Sequence, residues 1–213
     1  MVLQTMNKIV LANGMPRSGS TWLYNAARHI LNQVVSKNDF VYGWHSDIKS
    51  RKKVTLLKVH GINQKLLNES SIVLYSYRDI RDVLASRFRM WEMPPTMGVV
   101  HNLIYESRFF DDRADYIMKY EDFIEDQRKI VEELDSVLDA HSNIDKVMEL
   151  LSKDKKPASD GKSYNKEELY HTGHVTNGKH MSFEDAVPDS IIKKTEELYG
   201  QWFIDHGYDL VSL

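Results

Sequence analysis

The chain has 213 residues, enough for one sizeable core and short of two comfortable domains, so residues 1–213 are expected to form a single domain. Hydrophobic residues make up 42% and charged residues 28%, as in an ordinary globular protein, and a formal net charge of −3 gives no reason to expect nucleic acid as a partner. Cysteine is absent, which excludes a disulfide scaffold, a Cys-ligated zinc site and thiol catalysis, and fits a reducing compartment.

In chain order, Lys8–Ala12 reads as a buried strand. Ser20 to Val34 is an amphipathic helix, with Leu23, Ala26, Ala27, Ile30, Leu31 and Val34 on one face. Val54–Val59 is a second strand and Ser71–Tyr77 a third, after which Asp79 caps a helix running to about Met90. Asp115–Lys119 is a fourth strand, followed by a helix carrying Ile130, Val131, Leu134, Val137 and Leu138 and a shorter one with Ile144, Val147, Met148 and Leu151. Residues 152–190 are polar and read as irregular. A last helix spans about Asp189 to His206, with Leu198, Tyr199, Trp202 and Phe203 inward. Near-continuous apolar strands alternating with helices predict an α/β fold, a three-layer sandwich around a central parallel sheet. No apolar run approaches the roughly 20 residues that span a bilayer, and Met1 to Lys8 has no signal-like segment, so a cytoplasmic location is the expectation.

Between the first strand and the first helix stands Gly-Met-Pro-Arg-Ser-Gly-Ser-Thr-Trp, residues 14–22. This is a P-loop-like phosphate-binding loop with an unusual centre. A nucleotide-hydrolysing loop reads GxxxxGK[ST]. Gly14, Gly19 and Thr21 keep that pattern, Ser20 stands at the lysine position, and the cation comes three residues earlier at Arg17. Backbone N–H groups at a helix start still cradle an anion. The loop therefore points to a phosphorylated nucleotide but not to an ordinary ATPase or GTPase.

Ligands of parallel sheets bind beyond the C-terminal strand ends. The second strand ends in Lys58-Val59-His60-Gly61, and the spacing of two places Lys58 and His60 on one strand face. The third ends at Arg78, with Ser86 about two helical turns on, and the fourth in Tyr120-Glu121-Asp122. Four strand ends thus deliver Arg17, Lys58, His60, Arg78, Ser86 and Tyr120 to one rim. Cations dominate that set in an acidic chain, so the ligand reads as a polyanion.

The segments GMPRSGSTW, LLKVHG, YSYRDIRDVLAS and KYEDF, in this order, resemble the sulfotransferases that use 3′-phosphoadenosine 5′-phosphosulfate (PAPS). The resemblance runs from about Lys8 to Asp126 and includes the closing Gln201–Tyr208. It implies that Arg17, Ser18, Gly19, Ser20, Thr21 and Trp22 bind the 5′-phosphosulfate end, with Trp22 against the adenine. Arg17 replaces the family's usual lysine. Arg78 and Ser86 fall where the family binds the 3′-phosphate, and His60 falls on its catalytic histidine with Lys58 beside it. The family's C-terminal loop, Arg-Lys-Gly-x-x-Gly-Asp-Trp-Lys, is matched poorly; Thr176–Phe183 is the best candidate, with Gly178 and Lys179 as cofactor contacts and His174 as another source of charge.

The chemistry implied is sulfuryl transfer to a hydroxyl, less readily an amine, leaving adenosine 3′,5′-bisphosphate (PAP). His60 serves as general base, and Lys58 and Arg17 stabilise the bridging oxygen. No metal is implied. Other readings stand beside these. Arg78 pairs with Asp79 or Asp82; Trp22 and Tyr120 are core residues; His171, His174 and His180 belong to a solvated loop rather than a metal site. For the acceptor, a small molecule, glycan or lipid bearing a hydroxyl, two aromatic or Met-rich loop segments stand out, Phe40–His45 and Met90–Met97. From them Trp44, His45, Trp91 and Met93 are the candidate contacts, with His101, Tyr105, Arg108, Phe109 and Phe110 as further ones or as core. A small-molecule or nucleotide kinase of related fold, and a nucleotide-binding module without chemistry, are the alternatives.

Overall fold

In the computed structural model, which describes residues 7–154, 165–170 and 183–211, the elements run β1 (Lys8–Ala12), α1 (Ser20–Val34), β2 (Phe40–Trp44), β3 (Val54–Lys58), α2 (Gln64–Glu69), β4 (Ile72–Tyr77), α3 (Ile80–Trp91), α4 (Met97–Asp111), β5 (Tyr116–Lys119), α5 (Tyr120–Glu125), α6 (Gln127–Leu138), α7 (Ile144–Lys153) and α8 (Asp189–Asp205). The strands form one sheet in the order β2-β3-β1-β4-β5, every pair parallel. β1 is the centre. Lys8 to Ala12 pair with Val54 to Lys58 on one side, and Val10 to Ala12 pair with Ile72 to Leu74 on the other.

Both faces of the sheet are covered, which is why its strands are so uniformly apolar. Val10, Leu56, Leu74 and Met118 meet α1, α5, α6 and α7 through Leu23, Ala27, Phe123, Ile130, Leu134 and Val147. The alternate residues Leu11, Leu57, Val73 and Tyr75 meet α2, α3, α4 and α8 through Leu66, Val83, Ile104, Phe110 and Trp202. The chain passes from β1 out to β2, returns to β3 beside β1, then crosses to β4 on β1's far side. The loops after β1 and its neighbours therefore diverge, and a crevice opens at the C-terminal end of β1.

Several sequence expectations are corrected. Phe40–Trp44, within the segment expected to be a loop, is an edge strand, registered Phe40↔Val54 to Trp44↔Lys58. Its half-covered aromatic residues and Gly43 blur the alternation that marks a strand. Residues 97–111 form a full helix, with the Thr96 hydroxyl accepting from Val99 N–H at its start. β3 ends at Lys58, one residue early, and β4 and β5 each begin one residue late. Asp115 precedes β5, its carboxylate accepting from Val73 N–H at 2.7 Å. Leu198 points outward at 53% exposure, since at 100° per residue it lies off the stripe that Ile192, Thr195, Glu196, Trp202 and Phe203 bury; within α8, Tyr199 departs from helical geometry (φ −131°, ψ 19°).

Candidate active site

The loop after β1 is held from both sides. Asn13 donates from Nδ2 to Gly61 O at 2.8 Å, and its Oδ1 accepts from Gly14 N–H at 2.7 Å. Met15 N–H donates to Ser76 O, and the Ser18 hydroxyl lies 2.7 Å from both Met15 O and Ser76 Oγ. Ser18 is wholly buried, so its side chain builds the loop against β4 instead of facing a ligand. Only glycine serves at position 14: a Cβ there would stand 2.1 Å from Ser76 Oγ and 2.8 Å from Ser20 Cβ. Gly19 caps α1 in the left-handed region (φ 76°), a conformation that favours glycine. No side chain caps α1, and no carboxylate lies in its first turn, so the N–H groups around Ser20 and Thr21 point to an anion site.

Arg17 (φ 70°) turns across the crevice to the β4 side, where its Nε donates to Ser86 Oγ at 2.9 Å and its guanidinium lies 5.8 Å from the Trp91 ring. Arg78 is 3% exposed at the end of β4; its guanidinium lies over the Tyr120 ring at 4.2 Å and pairs with Asp82 at 3.2 Å. Burial, and then the Arg78 charge, lower the Arg17 guanidinium below its ordinary value. Two cations this close in a partly desolvated rim are an arrangement suited to negative charge. The base of Arg78 is rigid. Asp79 accepts from Arg81 N–H and pairs with the Arg81 guanidinium at 2.7 Å, and Arg81 also meets Glu196 on α8.

Lys58, the last residue of β3, is 1% exposed and donates to Val59 O at 3.2 Å. Burial pulls its amine down to about 7. His60 lies beyond the strand end, so strand alternation does not set its direction; a bond to the phosphate loop does. Its Nδ1 is 2.9 Å from Gly14 O, and its ring lies 5.7 Å from that of Trp44. A carbonyl only accepts, so Nδ1 carries the hydrogen, and in the neutral ring the lone pair is on Nε2.

The structure thus gathers Arg17 with Ser86 and Trp91, Arg78 with Tyr120, and His60 with Trp44. His45 is tied in through its N–H to Lys58 O at 3.0 Å. Trp22 is 9% exposed and packs on Phe123 at 4.6 Å, the core alternative for that residue. Met93 is 42% exposed, with its sulfur 3.6 Å from Arg87 Nη2. Of the further acceptor candidates, His101 and Arg108 turn to Tyr199 on α8, and Phe110 is core, stacked on Tyr75 at 4.4 Å. Gly178 and Lys179, with His171, His174 and His180, lie outside the described residues. Sequence reasoning missed Asn13 and Ser76, two polar residues that shape the loop together with Ser18; their signal is a polar side chain at or beside an otherwise apolar strand end. Among the described residues no cluster of His, Asp and Glu has the form of a metal site, and no helix is long and apolar enough to cross a membrane.

A family model described as the sulfotransferase domain matches residues 7–207. Comparison with curated protein sequences finds no match. Among solved structures, mouse sulfotransferase SULT7A1 complexed with PAP is similar at a TM-score of 0.65 and 13% identity, covering 92% of this chain and 84% of that one. Retinol dehydratase is similar in its complex with retinol and PAP (TM-score 0.59, 13% identity) and in its complex with androsterone and the inactive cofactor PAP (0.62, 14%). Each of these covers 98% of this chain and 84% of that one.

Proposed function

This chain belongs to the sulfotransferase domain family, and we propose that it transfers the sulfuryl group of PAPS to a hydroxyl acceptor, with His60 as general base. The observation that carries the reading is the shared corner of the β1 and β3 ends, where His60 is bonded to the phosphate loop itself at Gly14 O. The donor set fits the cofactor. The uncapped α1 start with Ser20 and Thr21 suits one phosphate end, and Arg78, Arg17 and Ser86 suit a second anionic group. Neighbours of the same fold crystallised with PAP support that assignment.

When bound, PAPS supplies an activated sulfuryl group and leaves as PAP once the acceptor oxygen has taken it. The chain does the rest. With Nδ1 committed to Gly14 O, His60 receives the acceptor's hydroxyl proton at Nε2, a role typically worth roughly 10²–10⁴-fold. Lys58, buried and with its amine near 7, holds its proton once an anion lies beside it and places that charge where the leaving oxygen becomes negative. Arg17 is on Ser86 in this structure, so its approach to the reacting group requires the side chain to swing away from that hydroxyl.

The test is single-turnover transfer from PAPS across pH for wild type and His60→Ala. Expected is a loss of roughly two to four orders of magnitude in the variant with PAP affinity nearly unchanged, and a wild-type rate that falls at acid pH. A near-wild-type rate in His60→Ala would remove the base and leave the family and fold standing.

A further inference from the structure

Two charged side chains, one of them next to the residue that follows His60, are not among the groups assigned above to PAPS. Glu106 projects from α4 toward the end of β3, its Oε1 3.6 Å from where a Cβ on Gly61 would stand, and Gly61 follows His60 directly. It makes no hydrogen bond or ion pair with any described residue. Arg87 follows Ser86 on α3. Its Nη2 reaches only the Met93 thioether, a weak acceptor, and its Nε is buried with no hydrogen-bond partner among the described residues. Burial raises the Glu106 carboxyl and lowers the Arg87 guanidinium, and in each case the other's charge opposes the shift. The two opposite charges feel one another yet form no ion pair. Leaving partly desolvated charges unjoined costs stability, and a ligand that serves both recovers it.

Resting on the sulfotransferase reading, we infer that Glu106 and Arg87 are specificity-determining residues that hold the acceptor through hydroxyls neighbouring the reacting one, and that the acceptor is a sugar. An ammonium group satisfies Glu106 but meets the Arg87 charge, and a carboxylate does the reverse. Hydroxyls donate to one and accept from the other. A sugar ring also has flat C–H faces. The site offers them aromatic surfaces in Trp44, beside His60, and in Trp91, 49% exposed beside Arg17.

The experiment gives the protein PAPS and the methyl glycosides of glucose, galactose and N-acetylglucosamine, with cyclohexanol as the apolar comparator. Binding is read in parallel by saturation-transfer NMR in the presence of PAP. A site built to hydrogen-bond hydroxyls should favour at least one glycoside by roughly 10²-fold or more in kcat/KM. Glu106→Gln and Arg87→Met should each raise the KM for that glycoside about tenfold or more and remove its NMR signal, with the PAP-induced rise in melting temperature retained. Should the variants fold poorly, the wild-type preference and NMR signal decide. Glycosides that neither bind nor react while PAP still stabilises the protein overturn the inference, as does an unchanged KM in Glu106→Gln. A protein that PAP does not stabilise overturns the sulfotransferase reading beneath it instead.

Discussion

On the reading proposed above, Lys58 should make PAP binding a proton-coupled event. The amine is enclosed at the end of β3 and burial alone brings it from 10.5 to about 7. That difference corresponds to roughly 5 kcal/mol in favour of the neutral form inside the folded chain. In the free protein the amine is neutral above pH about 7 while the unfolded chain keeps its proton up to 10.5. The unfolded state then binds more protons, so this residue makes the free protein more stable as pH rises through that window. An anionic ligand reverses the preference, because it needs the ammonium form. Above pH about 7 each ligand bound takes up close to one proton at this site, and PAP affinity should weaken by nearly tenfold per pH unit, or about 1.4 kcal/mol. Calorimetric titration with PAP at about pH 8.5, in two buffers of different ionisation enthalpy, counts that proton directly. Lys58→Met should abolish the uptake, flatten the pH dependence and raise the melting temperature of the free protein. Zero proton uptake with affinity flat from about pH 7 to 9, or a slope that survives in Lys58→Met, would refute the argument.

The cation cluster and the loop make their own predictions. PAP should raise the melting temperature far more than adenosine 5′-phosphate, since a ligand at 100 times its dissociation constant adds roughly 2.7 kcal/mol. Arg78→Lys, which keeps the charge but loses the planar fork over Tyr120 and on Asp82, should shrink the difference between the two nucleotides; equal shifts in the wild type would remove the 3′-phosphate role of Arg78 and Ser86. Gly14→Ala drives a Cβ to 2.1 Å from Ser76 Oγ, and the loop must move. Roughly 1–3 kcal/mol of destabilisation is expected, with weaker PAP binding, read by melts with and without ligand; a wild-type response to PAP would show that the loop does not need this close approach.

The central architecture was legible because it rests on signals that survive without tertiary context. β1 and α1 stand where periodicity places them, since Val10, Leu11 and Ala12 are buried and α1 carries apolar residues at helical spacing; the fold nonetheless buries α1 on every side from Ser20 to Leu31 and leaves Val34, expected on the apolar face, 38% exposed. Asp79 caps α3 through a bond within its own turn. The loop, His60, Lys58, Arg78 and Ser86 were legible as positions, because a parallel sheet brings its strand ends together whatever the side chains do. Their directions were not. Arg17 could be named as the loop's cation, but its reach to Ser86 depends on a fold contact across 69 residues of chain. The strand after Lys58 was expected to carry alternation on to His60, and the bond to Gly14 O governs instead.

The elements proposed to frame the acceptor were the least legible, and for a physical reason. β2 is an edge strand with one neighbour, so Phe40–Trp44 need not be apolar throughout, and its pattern resembles a loop. α4 buries Val100, Leu103, Ile104, Ser107 and Phe110 against the core, leaving Glu106 between that face and solvent. In the sequence Glu106 is one carboxylate of an ordinary mixed-charge surface. Its setting comes from Gly61, 45 positions away, which has no side chain to cover it and so leaves a half-buried carboxylate beside the residue that follows His60. The residues proposed for the cofactor lie at strand ends, where one topology dictates proximity. The residues proposed for the acceptor lie largely on the faces of helices that cross them, and a single residue there declares itself only once its neighbours are in place.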